Sequence, residues 1–523
     1  MSEAISTAEL PEYVPMALED VAKVREDLGR VFASGKTRDI AWRKEQILGL
    51  VYMLKDNIGL FNAALAKDLG RAPLETHILE VAPVLGDLRT LYDGVSKWSK
   101  TESMPFDMAW TAMRPRVRKE PKGCVLVISP FNYAFNLTLA PIGGALAAGC
   151  TVAFKPSELT PHLSAVFAKL FPLYVDPEVV RVVNGGVPET TVLLESQWDH
   201  IMYTGSGRVA RIVLAAAAKT LSPVTTELGG KSPVFVDSTC DLKVTARRLL
   251  WGKFANAGQT CIAPDYVLVQ KDFQDKFIQA LLDACKEFYP DGAEKSDSFS
   301  RIITETHAGR LGKMIDATKG QVVYGGSVVV DKRFVEPTIV KDVEYDDALM
   351  AEELFGPVLP IVPVSSVDAA IAYVNAHDHP LSLYIFSRAQ PFIDHVTSST
   401  RSGSVVTNDT MIHWAAPGAP FGGVGPSGSG AYKGKHTFDT FTHRRTALDS
   451  PSWLDIVLSG RYPPLNKRKA DTMDLLTLPS FPGRPSHLRE EKRSWGLFSG
   501  FYSVVSSVTS AVFGRPTYKA KQA

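Results

Sequence analysis

The sequence lacks most of the signatures that identify an enzyme at a glance. Only five of its 523 residues are cysteine (Cys124, Cys150, Cys240, Cys261 and Cys285), with no close C-x-x-C pair. That argues against a disulfide scaffold or a zinc ribbon and leaves free thiols in a reducing compartment as the expectation. The 11 histidines form no H-E-x-x-H, so a metal site is not expected. There is no G-x-S-x-G elbow of a serine hydrolase; Gly205–Ser206–Gly207 and Gly428–Ser429–Gly430 only imitate it. Neither sign of charge dominates: 57 Lys and Arg against 56 Asp and Glu leave +1, without the basic field of a nucleic-acid binder. The acidic N-terminus has no apolar core of a secretory signal, which favours a cytoplasmic chain. No internal repeat is evident.

What is present is an α/β grammar. Residues 16–100 have helical spacing: Leu18, Val21, Val24, Leu28 and Val31 recur at threes and fours, as do Ile47, Leu50, Val51 and Leu54. The stretch 111–120 is polar and basic with little pattern. From there short apolar runs each end in a polar turn: Val125–Ile128 at Ser129–Pro130, Thr151–Phe154 at Lys155–Pro156, Val179–Val183 at Asn184–Gly185–Gly186, His200–Tyr203 at Thr204–Gly205. Helical stretches at 137–146, 161–171 and 208–219 alternate with them. A second block has strands at Val234–Val236, Tyr266–Val269, Val358–Val362 and Leu383–Phe386, with helices at 243–257, 272–288 and 367–376. Apolar strands separated by helices predict parallel sheets covered on both faces. Two α/β domains joined near residue 228, with a cleft between them, are expected. Ligands of such sheets bind beyond the carboxyl ends of the strands, so the turns are where chemistry belongs.

Six turns carry candidate residues. Cys261 closes Gly258–Gln259–Thr260–Cys261 in a Gly/Asn-rich loop, where a thiol can be accessible and its pKa tuned; a packed thiol fits Cys124 and Cys150 better. Glu227 opens Glu227–Leu228–Gly229–Gly230–Lys231 between the two blocks, as a general base in the cleft or as a solvated hinge residue. Asn132 follows Pro130–Phe131 and offers two amide hydrogens to a developing oxyanion, or caps an Asx turn. Lys155 and Glu158 can reach ribose hydroxyls from the end of a strand, or form a surface turn. Gly205 and Ser206 lead into a helix N-terminus suited to phosphate, although the segment is neither a Walker motif nor G-x-G-x-x-G. Glu353 and Phe355, in Glu352–Glu353–Leu354–Phe355–Gly356–Pro357, can accept hydroxyls and pack on a flat ring.

Taken in order, these six pieces resemble the aldehyde dehydrogenase superfamily over roughly residues 15–450. The resemblance implies an α/β fold with a Rossmann-type cofactor domain (1–110 and 124–228), an α/β catalytic domain (229–425) and a small β oligomerisation arm (111–123 with 426–447). It implies Cys261 as nucleophile, Glu227 as general base and Asn132 as oxyanion donor. Lys155 and Glu158 fall on the family's adenosine-ribose contacts, and Glu353 and Phe355 on its nicotinamide-side contacts. The segments Phe254–Tyr266 and Pro420–Gly430, with Asn408–Asp409 and His413, are similar to the class 3 and fatty aldehyde branch, which includes fungal enzymes acting on apo-carotenals. That branch implies a homodimer and NAD(P)-dependent oxidation of a hydrophobic aldehyde, long-chain fatty or apo-carotenoid, to the acid. Aromatic or general aldehydes remain open, as do a CoA-acylating enzyme and a non-catalytic scaffold on the same fold. Two residues depart from the family pattern, Ala134 for a proline and Ala210 for a glycine; the second bears on how the pyrophosphate sits. Glu158 favours NAD over NADP, because a carboxylate there repels a 2′-phosphate.

The C-terminal part is different in kind. Residues 448–493 are rich in proline and charge and suggest a linker or surface wrap. Residues 494–514 hold no charge and lie between Lys492–Arg493 and Arg515, Lys519 and Lys521. Seven Ser or Thr and three Gly among them weaken the apolar drive, which favours a helix lying on an anionic membrane surface over one that spans. Peripheral attachment of a cytoplasmic chain to intracellular membranes is the expectation, with a spanning anchor and a tail packed on the dimer as the alternatives.

Overall fold

The computed structural model describes residues 9–107, 110–479, 481–482 and 485; the uncharged segment 494–514 lies outside them. The described residues form two compact units, one of those up to Pro105 with Pro115–Leu448 and one of those within Phe106–Arg114 with those from Asp449 on. Among the described residues no helix is long and apolar enough to cross a membrane.

The larger unit holds both sheets that the apolar runs predict. The six-stranded sheet runs in the order Gly428–Ser429, Val224–Glu227, His200–Thr204, Cys124–Ile128, Thr151–Lys155, Val180–Val182. All its pairings are parallel except that of Gly428–Ser429 with Val224–Glu227. The seven-stranded sheet runs Gln321–Tyr324, Thr338–Lys341, Val358–Val364, Tyr266–Gln270, Pro233–Val236, Ser382–Phe386, Ser404–Thr407, again parallel but for its first strand. Strands such as Cys124–Ile128 and Ser382–Phe386 are buried on both faces, which is why they are continuous apolar runs without alternation. A third sheet joins Glu102–Ser103, Arg116–Pro121 and Thr442–Ala447 antiparallel. It takes up the patternless basic stretch: mostly half-buried or exposed strands need no apolar run. Within 426–447 only Thr442–Ala447 joins this sheet; Gly428–Ser429 pairs with the strand that ends at Glu227.

Local chemistry sets the helix ends. Asp39 caps Ile40–Asp56 by accepting from the N–H groups of Ala41 and Trp42, and Ser206 caps Gly207–Thr220 through Val209 N–H. Asn136–Ala148 is buried around its whole circumference, against Ile40–Asp56, Ala82–Trp98 and the strands Cys124–Ile128 and Thr151–Lys155. Its sequence accordingly has no polar face. Beside it Phe61, Phe135, Phe154 and Phe167 meet edge to face or tilted at centroid distances of 5.0–6.2 Å. Such pairs contribute about 0.5–1.5 kcal/mol each beyond the area they bury. This aromatic core anchors the chain just after Asn132.

In the smaller unit the N–H of Asp449 donates to Met113 O at 2.8 Å. Short turns follow at Ser452–Leu454, Asp455–Leu458 and Ser459–Arg461. A helix, Lys467–Thr477, then forms inside the stretch whose composition suggests a linker, because Asn466 accepts from Lys469 N–H and starts it.

Candidate active site

The loop that carries Cys261 is built from residues with unusual backbone. Asn256, Ala257 and Gly258 all adopt positive φ (52°, 52° and 75°), immediately after the helix Leu242–Phe254. Left-handed conformation at a non-glycine residue costs of order 1–3 kcal/mol and persists only where surroundings enforce it. Side chains enforce it here. Asn256 Nδ2 donates to the carbonyls of Asn132 (3.0 Å) and Gln259 (3.1 Å). The buried Gln259 amide donates to Asn256 O and Arg301 O and accepts from Ile303 N–H. Glu75 accepts from Asn256 N–H at 2.7 Å. At Gly258 a Cβ would lie 2.3 Å from Gly356 O, so only glycine lets the Phe355–Pro357 loop come this close.

Asn132 is buried, and its Nδ2 donates to Gln259 O at 3.0 Å. The amide has two hydrogens, so one remains for another acceptor. A buried ion pair holds this loop. Arg71 donates to Glu80 and to Asn132 O, while Glu80 accepts from the N–H groups of Phe135 (2.6 Å) and Asn136 (3.3 Å). The Arg71 guanidinium also lies 5.3 Å from the centre of the Tyr133 ring. Glu80 reaches inward from a π-helical turn, His77–Val81. Such turns recur at functional sites. Neither Arg71 nor Glu80 is a site expectation of the sequence. The available signal was a carboxylate inside the apolar run Leu79–Glu80–Val81, which demands a buried partner.

Glu227 ends the strand Val224–Glu227 and is buried. Among the described residues neither of its carboxylate oxygens has a hydrogen-bond partner. Burial alone pushes its pKa well above the usual carboxylate range. The Cys261 thiol is pushed up to about 12, first by burial and then by the nearby Glu353 and Glu227 carboxylates. By surface area Cys261 is half-buried, unlike the other four cysteines, all of which are buried. The structure thus brings together Cys261, Glu227 and Glu353 by their fields, and Asn132 and Cys261 by hydrogen-bonded loops.

Cys261 opens on an apolar pocket of about 380 Å³, its open mouth included, lined also by Tyr133, Met411, Trp414, Phe421 and Tyr432. Phe421 and Tyr432 exchange backbone hydrogen bonds at 2.8 and 2.9 Å, and their rings meet edge to face at 5.7 Å. These lining residues, scattered between Tyr133 and Tyr432, form no sequence motif.

The remaining site expectations lie at carboxyl ends of strands or on neighbouring loops. Lys155 ends Thr151–Lys155; its Nζ donates to Glu158 (2.6 Å) and Gly185 O (2.9 Å). Gly205 and Ser206 lie between the strand His200–Thr204 and the helix Gly207–Thr220, with Gly205 N–H donating to Glu227 O at 3.0 Å. Glu353 lies against Gly229, where a Cβ would meet its carboxylate at 2.4 Å. The Gly230 backbone beside that carboxylate lowers its pKa. Burial and Asp265 still raise Glu353 to about 8. Phe355 has positive φ (48°), and its ring meets Phe131 edge to face at 5.9 Å. Lys231 donates to Asp265, Leu349 O and Glu352 O and so ties the Gly229–Gly230 turn to the Glu353 loop. Among the described residues no group of His, Cys, Asp and Glu could hold a metal ion.

The lining of strand ends, a capped helix N-terminus and a glycine turn with no side chain in the way suits a dinucleotide, with Lys155 and Glu158 for ribose and Gly205–Ser206 for phosphate. Residues 9–447 match the model of the aldehyde dehydrogenase family. The chain is 45% identical over 433 residues to a dimeric NADP-preferring aldehyde dehydrogenase of Rattus norvegicus, covering 83% of this chain and 95% of that one. It is 42% identical over 466 residues to a beta-apo-4'-carotenal oxygenase of Neurospora crassa, covering 88% and 87%. A substrate-bound structure of Staphylococcus aureus AldH superposes with a TM-score of 0.82 at 37% identity, covering 88% of this chain and 99% of that one.

Proposed function

The chain belongs to the aldehyde dehydrogenase family, and from that premise we propose that it oxidises a hydrophobic aldehyde to its acid through a covalent bond at Cys261. One observation carries the reading: the one half-buried cysteine of the five opens on an aromatic pocket, in the field of a buried carboxylate that has no hydrogen-bond partner among the described residues. A pocket walled by Trp414, Phe421 and Tyr432 favours an apolar tail, long-chain or apo-carotenoid, over a polar one. The Neurospora crassa relative, an apo-carotenal oxygenase by name, supports the same substrate class.

The reaction requires the Cys261 sulfur to lose its proton, since the thiolate is the nucleophile. A thiol held near 12 stays protonated at neutral pH, so its proton leaves to solvent as the sulfur attacks. Attack on the aldehyde carbon gives a thiohemiacetal whose oxyanion is held by the free Asn132 amide hydrogen and by Cys261 N–H. Bound NAD or NADP would supply the hydride acceptor that turns this adduct into a thioester. Glu227 then draws a proton from water as that water attacks the thioester, and passes it on to the departing sulfur. The carboxylic acid leaves, and the sulfur is released as a good leaving group. Retention of Glu227 favours hydrolysis over transfer of the acyl group to CoA.

For the cofactor, Lys155 and Glu158 would hold the adenosine ribose, Gly205 and Ser206 the pyrophosphate, and Glu353 and Phe355 the nicotinamide side. Glu158 favours NAD, although its ion pair with Lys155 lessens the repulsion of a 2′-phosphate, and a relative of Rattus norvegicus is NADP-preferring by name. A dimer built through the arm of Arg116–Pro121 and Thr442–Ala447, and attachment of segment 494–514 to anionic membranes, complete the reading. Purified protein offered a panel of fatty, apo-carotenoid, aromatic and short aldehydes, with NAD and with NADP, tests it. Higher kcat/KM for the apolar long aldehydes supports the proposal; oxidation of none of them removes it.

A further inference from the structure

The residue after Tyr432 is out of keeping with its position. Lys433 is 5% exposed, yet it is a lysine, and its backbone has φ of +94°, a conformation that a side chain disfavours. Three contacts hold it there. Its ammonium forms an ion pair with Asp87, on the helix Ala82–Trp98, and both side chains are nearly covered (6% and 13% exposed). The same ammonium lies 4.6 Å from the centre of the Trp414 ring. Its N–H donates to Thr437 Oγ1 at 2.8 Å, at the start of the helix Lys435–Thr440.

Burial of a charge pair in a strained backbone needs a reason, since removing either partner leaves an uncompensated charge. The reason offered by the geometry is the pocket. Trp414 and Tyr432 both line it beside Cys261. Trp414 is only half-buried, with pocket space on one side of its ring and the Lys433 ammonium close to it. A cation over an indole holds the ring in place, more so where water is excluded. We propose that Lys433, fixed by Asp87, is a positioning residue that keeps the Trp414 ring back as a wall of the pocket and so sets which aldehyde tails fit. The proposal rests on the reading of this pocket as the aldehyde site. Lys433 touches neither the reacting atoms nor Cys261; it acts through Trp414. Without its ammonium the ring is free to turn into the open space, and long or bulky tails lose more than short ones.

The test is a kcat/KM profile over straight-chain aldehydes of increasing length, on the full chain with NAD. The proteins are wild type, Lys433→Met, Lys433→Arg and the double variant Asp87→Leu with Lys433→Met. The double variant removes both charges and guards against a fold lost to an orphaned carboxylate. Lys433→Met, or the double variant in its place, is expected to lower the long-to-short ratio of kcat/KM at least about tenfold, mostly through KM. Lys433→Arg keeps a cation near the ring and should restore the ratio to within about threefold of wild type. A merely structural role would lower all aldehydes alike and leave the ratio unchanged, which would overturn the proposal. Wild type that oxidises no aldehyde would instead overturn the functional reading, and this inference with it.

Discussion

At the scale of single residues, three side chains carry the proposed chemistry, and each has a separable signature. Cys261→Ala should abolish aldehyde oxidation while NAD still binds, as measured by turnover beside cofactor titration. Asn132→Ala should cost roughly 10²–10³ in kcat if its free amide hydrogen meets the oxyanion; a loss of about threefold or less would mean it only shapes the loop. Glu227 affects both rate and stability. Its folded pKa is raised above the unfolded value, so the stability associated with its protonated form is present at low pH and is lost as pH rises through the raised value. At neutral and alkaline pH it therefore weakens the fold. Glu227→Gln should slow deacylation and remove the acid limb of the pH–rate profile. Denaturant titration of the same variant should show a gain at alkaline pH, where the ionised carboxylate is no longer buried, that shrinks towards acid pH. Equal stability at all pH values would show that the Glu227 carboxylate is not the isolated group its surroundings indicate.

At the scale of elements, the structure explains what the sequence could and could not reveal. Most of the parallel strands were legible because both faces are buried, and the apolar runs at Val125, Thr151, His200, Val234, Tyr266, Val358 and Leu383 all became strands, whereas Thr338–Lys341, parallel and buried as well, was not among the expectations. Val224–Glu227 was not, since Val–Thr–Thr–Glu is no apolar run; its neighbours His200–Thr204 and Gly428–Ser429 make it a strand. The edge strands Gln321–Tyr324 and Ser404–Thr407 are partly exposed and were missed for the same reason. Cys261, Glu227 and Asn132 were legible as polar residues in turns beside apolar runs. The pocket wall was not, because Tyr133, Trp414 and Tyr432 meet only in three dimensions. Nor was the brace of Arg71 and Glu80 under the Asn132 loop. Glu80→Gln removes one charge of a fully buried pair, which typically costs about 3–5 kcal/mol. It should also lower kcat more than it raises KM, because the Asn132 carbonyl and the N–H groups of Phe135 and Asn136 share that pair. Steady-state kinetics of the folded fraction checks this, with unchanged kcat as the contrary result.

At the scale of the whole molecule, a single compact unit carries both sheets and the candidate site, and the polar, proline-rich stretch after it gives a separate small unit. The uncharged segment 494–514 follows the described residues of that unit in sequence. Fractionation of the full chain against one ended after Pro482, with vesicles containing anionic lipid, should bring down only the full chain; both remaining in solution would count against membrane attachment. The family fold itself is common to many aldehyde oxidisers, so the central claim is the covalent one, at one sulfur. It is tested most directly by mixing the Glu227→Gln protein with NAD and a long-chain aldehyde, quenching, and mapping the peptides by mass spectrometry. The expected result is the acyl group's mass on the peptide that contains Cys261 and on no other cysteine peptide. An adduct on another cysteine, or product formed at the wild-type rate with no adduct at all, would contradict it.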